Sequence, residues 1–337
     1  MGAFMSKYIV GFDIGGTDIK SCITNNSGRI LYENKIPVAK HSDSNSVLEQ
    51  LLIGQNFLLE KVKTNINEII GIGIGVPGAV SPRTGRVDRF IHISGFEDFP
   101  FASEYKKLSG CDVIVDNDAN MAALGEFNFG KGKQFTSFIF ITIGTGIGSG
   151  IIIDGHLVRG NTGSTGEVGC MKLYDSGKYC ACGQFDCWHS YCSSSALVRE
   201  AKVRLSLNKK NLLWSMCSED FKNLTAKHIF DAARSGDAFA NQLVHYEVKH
   251  LAKGLSSIVN MLDPEAVIIG GGMSEAGDIL FGPLKEEMKY HTRPISYNSV
   301  KIIKSELGNK AGMLGAVSCF FQKEQVNKKN VQHAVLS

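Results

Sequence analysis

The sequence predicts an α/β protein of two related lobes facing a cleft, and three observations carry the prediction. The chain has 337 residues, too many for one small core, with 43% hydrophobic and 20% charged residues, the balance of a soluble globular protein. A strand–glycine turn–strand opening occurs at Tyr8 to Thr24, and the same arrangement returns at Phe138 to Ile153. Each opening is followed later by helical periodicity, so strands and helices alternate along the chain.

In the first opening Tyr8 to Phe12 is apolar, Asp13-Ile14-Gly15-Gly16-Thr17 is a tight turn, and Ile19 to Thr24 is extended. Asn25-Asn26-Ser27-Gly28 reads as a hairpin turn into Arg29 to Ile36. A helix beginning at Ser46 places Leu48, Leu51, Leu52, Leu58, Leu59 and Val62 on one face. Ile69 to Val76 is a buried strand ended by Pro77-Gly78, and the strand Cys111 to Val115 delivers Asp116-Asn117-Asp118 to a helix over Ala119 to Phe127. The second opening runs Phe138 to Ile143, Gly144-Thr145-Gly146, then Gly148 to Ile153 and the hairpin turn Asp154-Gly155. Helices are predicted over Ser195 to Leu207 and Ala238 to Leu262, the second stopped by Asp263-Pro264. Ala266 to Ile269 is a strand ending in Gly270-Gly271-Gly272, and the last helix runs over about Gly312 to Gln325. The expected boundaries are a small lobe over residues 6–118, completed by the helix at about 312–325, a large lobe over 119–311, and a tail over 326–337.

A net charge of +3 is too weak to argue for nucleic acid or a membrane surface. Met1 to Lys7 holds no apolar run of signal-peptide length, and no stretch reaches transmembrane length, so the expected location is the cytoplasm. Four of the nine cysteines lie between Cys180 and Cys192. In a reducing compartment such clustering points to metal before disulfides, with buried free thiols as the plainer alternative.

Three glycine turns end strands, at Gly15-Gly16-Thr17, Gly144-Thr145-Gly146 and Gly270-Gly271-Gly272. Consecutive amide N–H groups in such turns make anion-binding concavities, to which Thr17 and Thr145 add hydroxyl donors. One such turn needs no ligand to explain it; three together favour a nucleotide triphosphate. Neither the P-loop nor the dinucleotide glycine pattern follows the first strand. Asp13, where the first strand meets its turn, either holds Mg²⁺ between itself and phosphate or caps its own turn. Asp118, flanked by Asn117 and Asn120, either serves as a general base or is the N-cap of its helix, and the residue alone favours the cap.

The segments FDIGGTDIK, GIGVPGAV, VDNDANMAALGE, ITIGTGIGSGIIIDGHLVRG, TGEVGCM and CACGQFDC resemble the ROK family of sugar kinases and repressors, in the family's order and over about Tyr8 to Phe321. The resemblance implies the actin-like ATPase (ribonuclease H-like) fold, two lobes around a central cleft, and ATP-dependent phosphorylation of a sugar primary hydroxyl. It matches Asp13, Gly15, Gly16, Thr17 and Lys20 to the first phosphate motif and Thr142, Gly144, Thr145 and Gly146 to the second. Gly270, Gly271 and Gly272 fall on the adenosine side, and Asp118 on the catalytic base, which reverses the preference for a cap. Asn117 and Glu167 match positions that hold sugar hydroxyls, and Gly78 a glycine lining that pocket. The implied cofactors are ATP, Mg²⁺ and a structural Zn²⁺, and many family members are homodimers.

The family's zinc ligands map onto Cys180, Cys182 and Cys187, with a fourth ligand, usually histidine, at Cys170 in Gly-Glu-Val-Gly-Cys. That gives a four-cysteine site in the loop 170–187, with Cys192 as a spare, bracing Glu167 rather than doing chemistry. Departures from the family pattern cluster at the sugar. His189 replaces the glutamate two residues after the last zinc cysteine, Asp186 replaces a glycine, and His92 aligns with an asparagine. As His92 and His189 stand at sugar-contacting positions, the expected substrate differs from plain glucose: allose, an N-acetylhexosamine or a β-glucoside. Glucose itself stays open as the plainer alternative. Family repressors carry a helix-turn-helix ahead of the phosphate motif, and here about eight residues precede the first strand, which argues for the kinase. A catalytically idle sugar sensor is the remaining rival, though it has no need of Asp118, Lys20 and both phosphate turns.

Overall fold

Buried parallel strands read as continuous apolar runs because both faces are covered, and the sequence supplies such runs twice. In the computed structural model, which describes residues 7–38, 43–88, 95–180 and 182–321, they build two five-stranded sheets. His92 and the tail 326–337 lie outside these residues. The first sheet holds β1 (Tyr8–Ile14), β2 (Asp18–Asn25), β3 (Ile30–Pro37), β4 (Ile69–Val76) and β5 (Val113–Asn117) in the order β3-β2-β1-β4-β5. The second holds β6 (Phe138–Ile143), β7 (Ile147–Ile153), β8 (His156–Leu157), β9 (Ala266–Gly270) and β10 (Lys301–Lys304) in the order β10-β9-β6-β7-β8. Counted from its own first strand each sheet has the same arrangement. The first three strands pair antiparallel and the last two add in parallel.

The helices are α1 (Ser44–Lys61), α2 (Phe101–Ser109), α3 (Asp118–Phe129), α4 (Ser194–Leu207), α5 (Leu212–Met216), α6 (Ala226–Arg234), α7 (Ala238–Leu262), α8 (Asp278–Met288), α9 (Pro294–Ser299) and α10, residues 311–321. Their starts follow capping chemistry. Asp43 accepts from the Ser46 N–H at 2.8 Å to open α1, and Asp237 accepts from the Ala240 N–H at 3.0 Å to open α7. Asp263 ends α7 in the left-handed region (φ 43°), just before Pro264. Among the described residues no helix is long and apolar enough to cross a membrane.

Among the described residues, three hydrophobic cores follow from this layout. One lies under the first sheet against α1 and α2, and another joins the second sheet to α4, α6, α7 and α8. The third links the two sheets through α3 and α10, drawing together Ile9, Leu124, Phe140, Ile268 and Val317. Backbone contact makes that junction possible. A β-carbon added at Gly73 of β4 would lie 1.9 Å from the Ala316 carbonyl oxygen, and one at Gly315 of α10 only 1.5 Å from the Met121 carbonyl oxygen of α3. No side chain fits at either position, so both glycines are needed for α10 to approach the sheet and α3 this closely.

Gly315→Ala should therefore cost about 1–3 kcal/mol or more by overpacking. Gly282→Ala, inside α8 with open space at the added carbon, should be neutral or stabilising by up to about 1 kcal/mol. Urea unfolding of both variants checks the pair; equal midpoints would contradict the close-approach account.

Candidate active site and metal centre

The carboxyl ends of β1, β4 and β5 form one edge of a cleft, and those of β6 and β9 form the other. Cross-strand register sets Asp13 (β1) opposite Lys20 (β2) on one side and Gly75 (β4) on the other, and Gly75 opposite Asp116 (β5). In the second sheet Thr142 holds the position equivalent to Asp13, paired with Gly148 and Gly270. A cavity of about 110 Å³ lies between them, lined by Asp13, Lys20, Asp118, Ala119, Ala122, Phe140, Thr142, Gly271, Gly308, Asn309, Ala311 and Gly312. Ligand sites at the carboxyl ends of parallel strands are the rule for such sheets.

Lys20 Nζ stands 3.7 Å from Asp13 Oδ2. Burial pushes the Asp13 carboxyl up from its usual range, and the Lys20 ammonium only partly opposes this. Gly312 permits the arrangement, since a β-carbon there would lie 2.6 Å from the Asp13 carboxyl carbon. The first turn closes through the Gly15 N–H to the Asp18 carbonyl at 2.9 Å. The second closes through the Gly144 N–H to the Gly146 carbonyl at 2.9 Å, and Ser194, opening α4, donates both its N–H and its hydroxyl to the Gly144 carbonyl.

The helix cap that the residue-level reading favours for Asp118 belongs to its neighbour. Asn117 Oδ1 accepts from the N–H groups of Ala119 and Asn120 at 2.9 and 3.2 Å, and its amide donates to the Gly78 carbonyl at 3.1 Å. Asp118 is thus the first helical residue, where one carboxylate oxygen takes the Ala119 N–H at 2.8 Å and the group faces the cavity. Burial first, and then the charges of Asp13 and Glu167, push its pKa up to about 7. Glu167 keeps an exposed edge, yet the surrounding protein displaces enough water to raise its carboxyl too. Beneath this corner Asp116 accepts from the Asn117 N–H, the Asn120 amide (2.9 Å) and Arg159 Nε (2.6 Å), tying β5 to the segment after β8.

Beside the second glycine turn the cysteine loop folds into a donor cluster. One donor atom each from Cys170, Cys182, Cys187 and His189 lie within 4.8 Å of one another, and Cys180 Sγ adjoins, 2.7 Å from His189 Nε2. Cys182 and Cys187 sulfurs are 3.5 Å apart and every cysteine is a free thiol. Soft sulfur and imidazole donors gathered so closely fit a tetrahedral Zn²⁺. Asp186 adopts the left-handed conformation (φ 61°) where the resemblance has glycine. Its carboxylate accepts from the N–H groups of Ser176, Gly177 and Lys178 and from the hydroxyls of Ser176 and Tyr191, which holds it well below the usual carboxylate range.

Residues 9–323 match the ROK family. The chain belongs to the ROK family. A glucokinase of Halalkalibacterium halodurans is 32% identical over 96% of this chain and 98% of its own length. A xylose repressor of Caldicellulosiruptor bescii is 28% identical over 92% of this chain and 77% of its own length. Among solved structures, a ROK family glucokinase from Streptomyces griseus, in complex with glucose and AMPPNP, aligns with a TM-score of 0.82 at 31% identity, covering 94% of this chain and 99% of that one. The fold is accordingly the actin-like ATPase fold of the ROK kinases, and the two sheets are its repeated frame.

Of the ROK positions named from the sequence, Asp13, Lys20, Asp118, Thr142 and Gly271 line one cavity. Asn117 and Gly78 are hydrogen-bonded to each other, and Glu167 is close enough to influence Asp118 electrostatically. Gly15, Gly16, Thr17, Gly144, Thr145, Gly146, Gly270 and Gly272 lie outside that lining. His189, expected at the sugar, sits in the cysteine cluster. The wall Gly308–Gly312 and the Asp116–Arg159 pair carry no sequence signal, since only the fold brings them to the cleft.

Asn117→Ala should lower stability by about 1 kcal/mol through loss of the α3 cap. Asn117→Asp should restore most of that stability, since its carboxylate can still cap, while leaving the Gly78 carbonyl without its donor. Guanidinium unfolding of the two variants checks this, and equal losses would contradict the cap.

Proposed function

We propose that this chain transfers the γ-phosphoryl group of ATP to a primary hydroxyl of a sugar, with Asp118 as general base. The sugar-kinase class rests on the ROK relationship and on the glucokinases at about one-third identity across nearly the whole chain. The observation that carries the mechanism is the placement of Asp118. Its neighbour caps the helix, so its carboxylate shares a cavity with Asp13, Lys20 and Thr142 and is poised near neutrality.

In this reading the glycine turns offer backbone N–H groups to the phosphates, and Lys20 and the Thr142 hydroxyl add charge and a further donor. Asp13, buried and only partly balanced by Lys20, fits a Mg²⁺ site. That cation, when bound, supplies charge neutralisation on the phosphates. Asn117 and Glu167 hold sugar hydroxyls, and Asp118 orients the acceptor hydroxyl and takes its proton as the oxygen attacks. The sugar is a hexose other than plain glucose or one substituted near its anomeric carbon, because His189 stands where the ROK family has a glutamate two residues after the last zinc cysteine.

Asp118→Asn should lower kcat by about 10²–10⁴-fold while sugar affinity changes little. A coupled ADP-release assay over glucose, mannose, allose, fructose, N-acetylglucosamine, N-acetylmannosamine and cellobiose reads both the class and the substrate. Turnover retained in the variant would sink the base assignment, and glucose as the best substrate would sink the specificity reading.

The pH profile supplies a further test. A base must be ionised to work, and the Asp118 pKa is pushed up to about 7 in the free protein. kcat/KM should therefore rise with pH through that region and level off above it. A profile already flat from about pH 5 upward would contradict the assignment.

A further inference from the structure

The cysteine loop offers five donors, one more than a tetrahedral ion accepts, so the coordination shell involves a choice. We propose that the metal site of this chain is a three-sulfur, one-nitrogen site in which His189 supplies the nitrogen beside Cys170, Cys182 and Cys187. His189 is then a ligand in place of the sugar contact expected from its position in the family, and the site is not a four-cysteine one.

Three features of the loop support this. The donors of these four residues are all within 4.8 Å of one another, a spacing that tetrahedral coordination brings to between about 3.5 and 4 Å with small side-chain shifts. His189 is held there by the chain on either side of it. Cys187 precedes it in the cluster, and Trp188 between them is fully buried, its indole N–H donating to the His250 carbonyl of α7 at 3.0 Å and its ring packed where a Gly254 β-carbon would be. Trp188 thus fixes the backbone that aims the imidazole at the sulfurs. Finally, the imidazole spans two features. Nε2 lies 2.7 Å from the sulfur of Cys180, the fifth donor beside the set, while Nδ1 is 3.2 Å from the ideal β-carbon position of Gly169 and 3.6 Å from that of Gly146.

Charge favours the same choice. Four thiolates around Zn²⁺ leave a net charge of −2, and replacing one by neutral imidazole leaves −1. The loop carries Glu167 and abuts a cleft that already holds Asp13 and Asp118, so the smaller negative charge is the better neighbour for a polyanionic ligand. On its Nδ1 side the same ring lies beside Gly146 of the second glycine turn, so the metal loop and that turn are neighbours.

The inference concerns coordination alone and stands or falls independently of the kinase reading. X-ray absorption on the zinc-loaded, full-length protein counts the ligands without any substitution: about three sulfurs at 2.3 Å and one nitrogen at 2.0–2.1 Å are expected. A shell of four sulfurs and no nitrogen would overturn the proposal, as would failure to bind zinc at all. His189→Ala should weaken zinc at least about tenfold in competition with a chelating dye, and the nitrogen should vanish from the absorption fit or be replaced by sulfur. Unchanged affinity with an unchanged shell in that variant would equally overturn it.

Discussion

Everything at the cleft depends on which residue caps α3. Asn117 gives its side-chain oxygen to the first amides of the helix, so Asp118 enters the helix with its carboxylate turned to the cavity. One Asp118 oxygen still accepts the Ala119 N–H, which by itself lowers the pKa. Burial and the nearby acids outweigh it, which turns an ordinary helix-start aspartate into a group able to accept a proton near neutrality. The cap also fixes Gly78 through the other end of the Asn117 amide, so one side chain ties together helix, strand end and pocket wall.

A second constraint sits underneath. Asp13 and Asp118 come together because β1 and β5 flank β4: Asp13 pairs with Gly75, Gly75 pairs with Asp116, and Asp118 follows two residues later at the start of α3. The two sheets approach through α3 and α10, whose backbones touch at Gly315 and Met121. Repeating one sheet arrangement places Thr142 opposite Asp13, and the cavity between them is a consequence of that repetition.

Much of this frame is legible in the sequence. Buried parallel strands announce themselves as apolar runs, and glycine turns at their ends mark where a ligand approaches. The helix bounded by Ala238 and Leu262 is also plain, since its period and its Asp-Pro stop agree. Less legible are α2 and α6, which are short and polar, and α8, whose Pro283 breaks the helical pattern from within. The base could not be separated from the cap by residue type, because Asn and Asp are both good caps and stand side by side. The wall at Gly308–Gly312 is invisible because nothing local to it speaks of a ligand. His189 lies where sequence position and chemistry diverge: alignment puts it at the sugar, while the folded loop turns its ring toward sulfur.

The central claim is that Asp118 receives the proton of the acceptor hydroxyl. The measurement that bears on it most directly is a crystal structure of the protein with its preferred sugar and a non-hydrolysable ATP analogue. The account predicts an Asp118 carboxylate oxygen within about 2.6–3.2 Å of the hydroxyl that faces the γ-phosphate. A sugar seated in the cleft with that hydroxyl bonded elsewhere, and Asp118 out of reach, would contradict it.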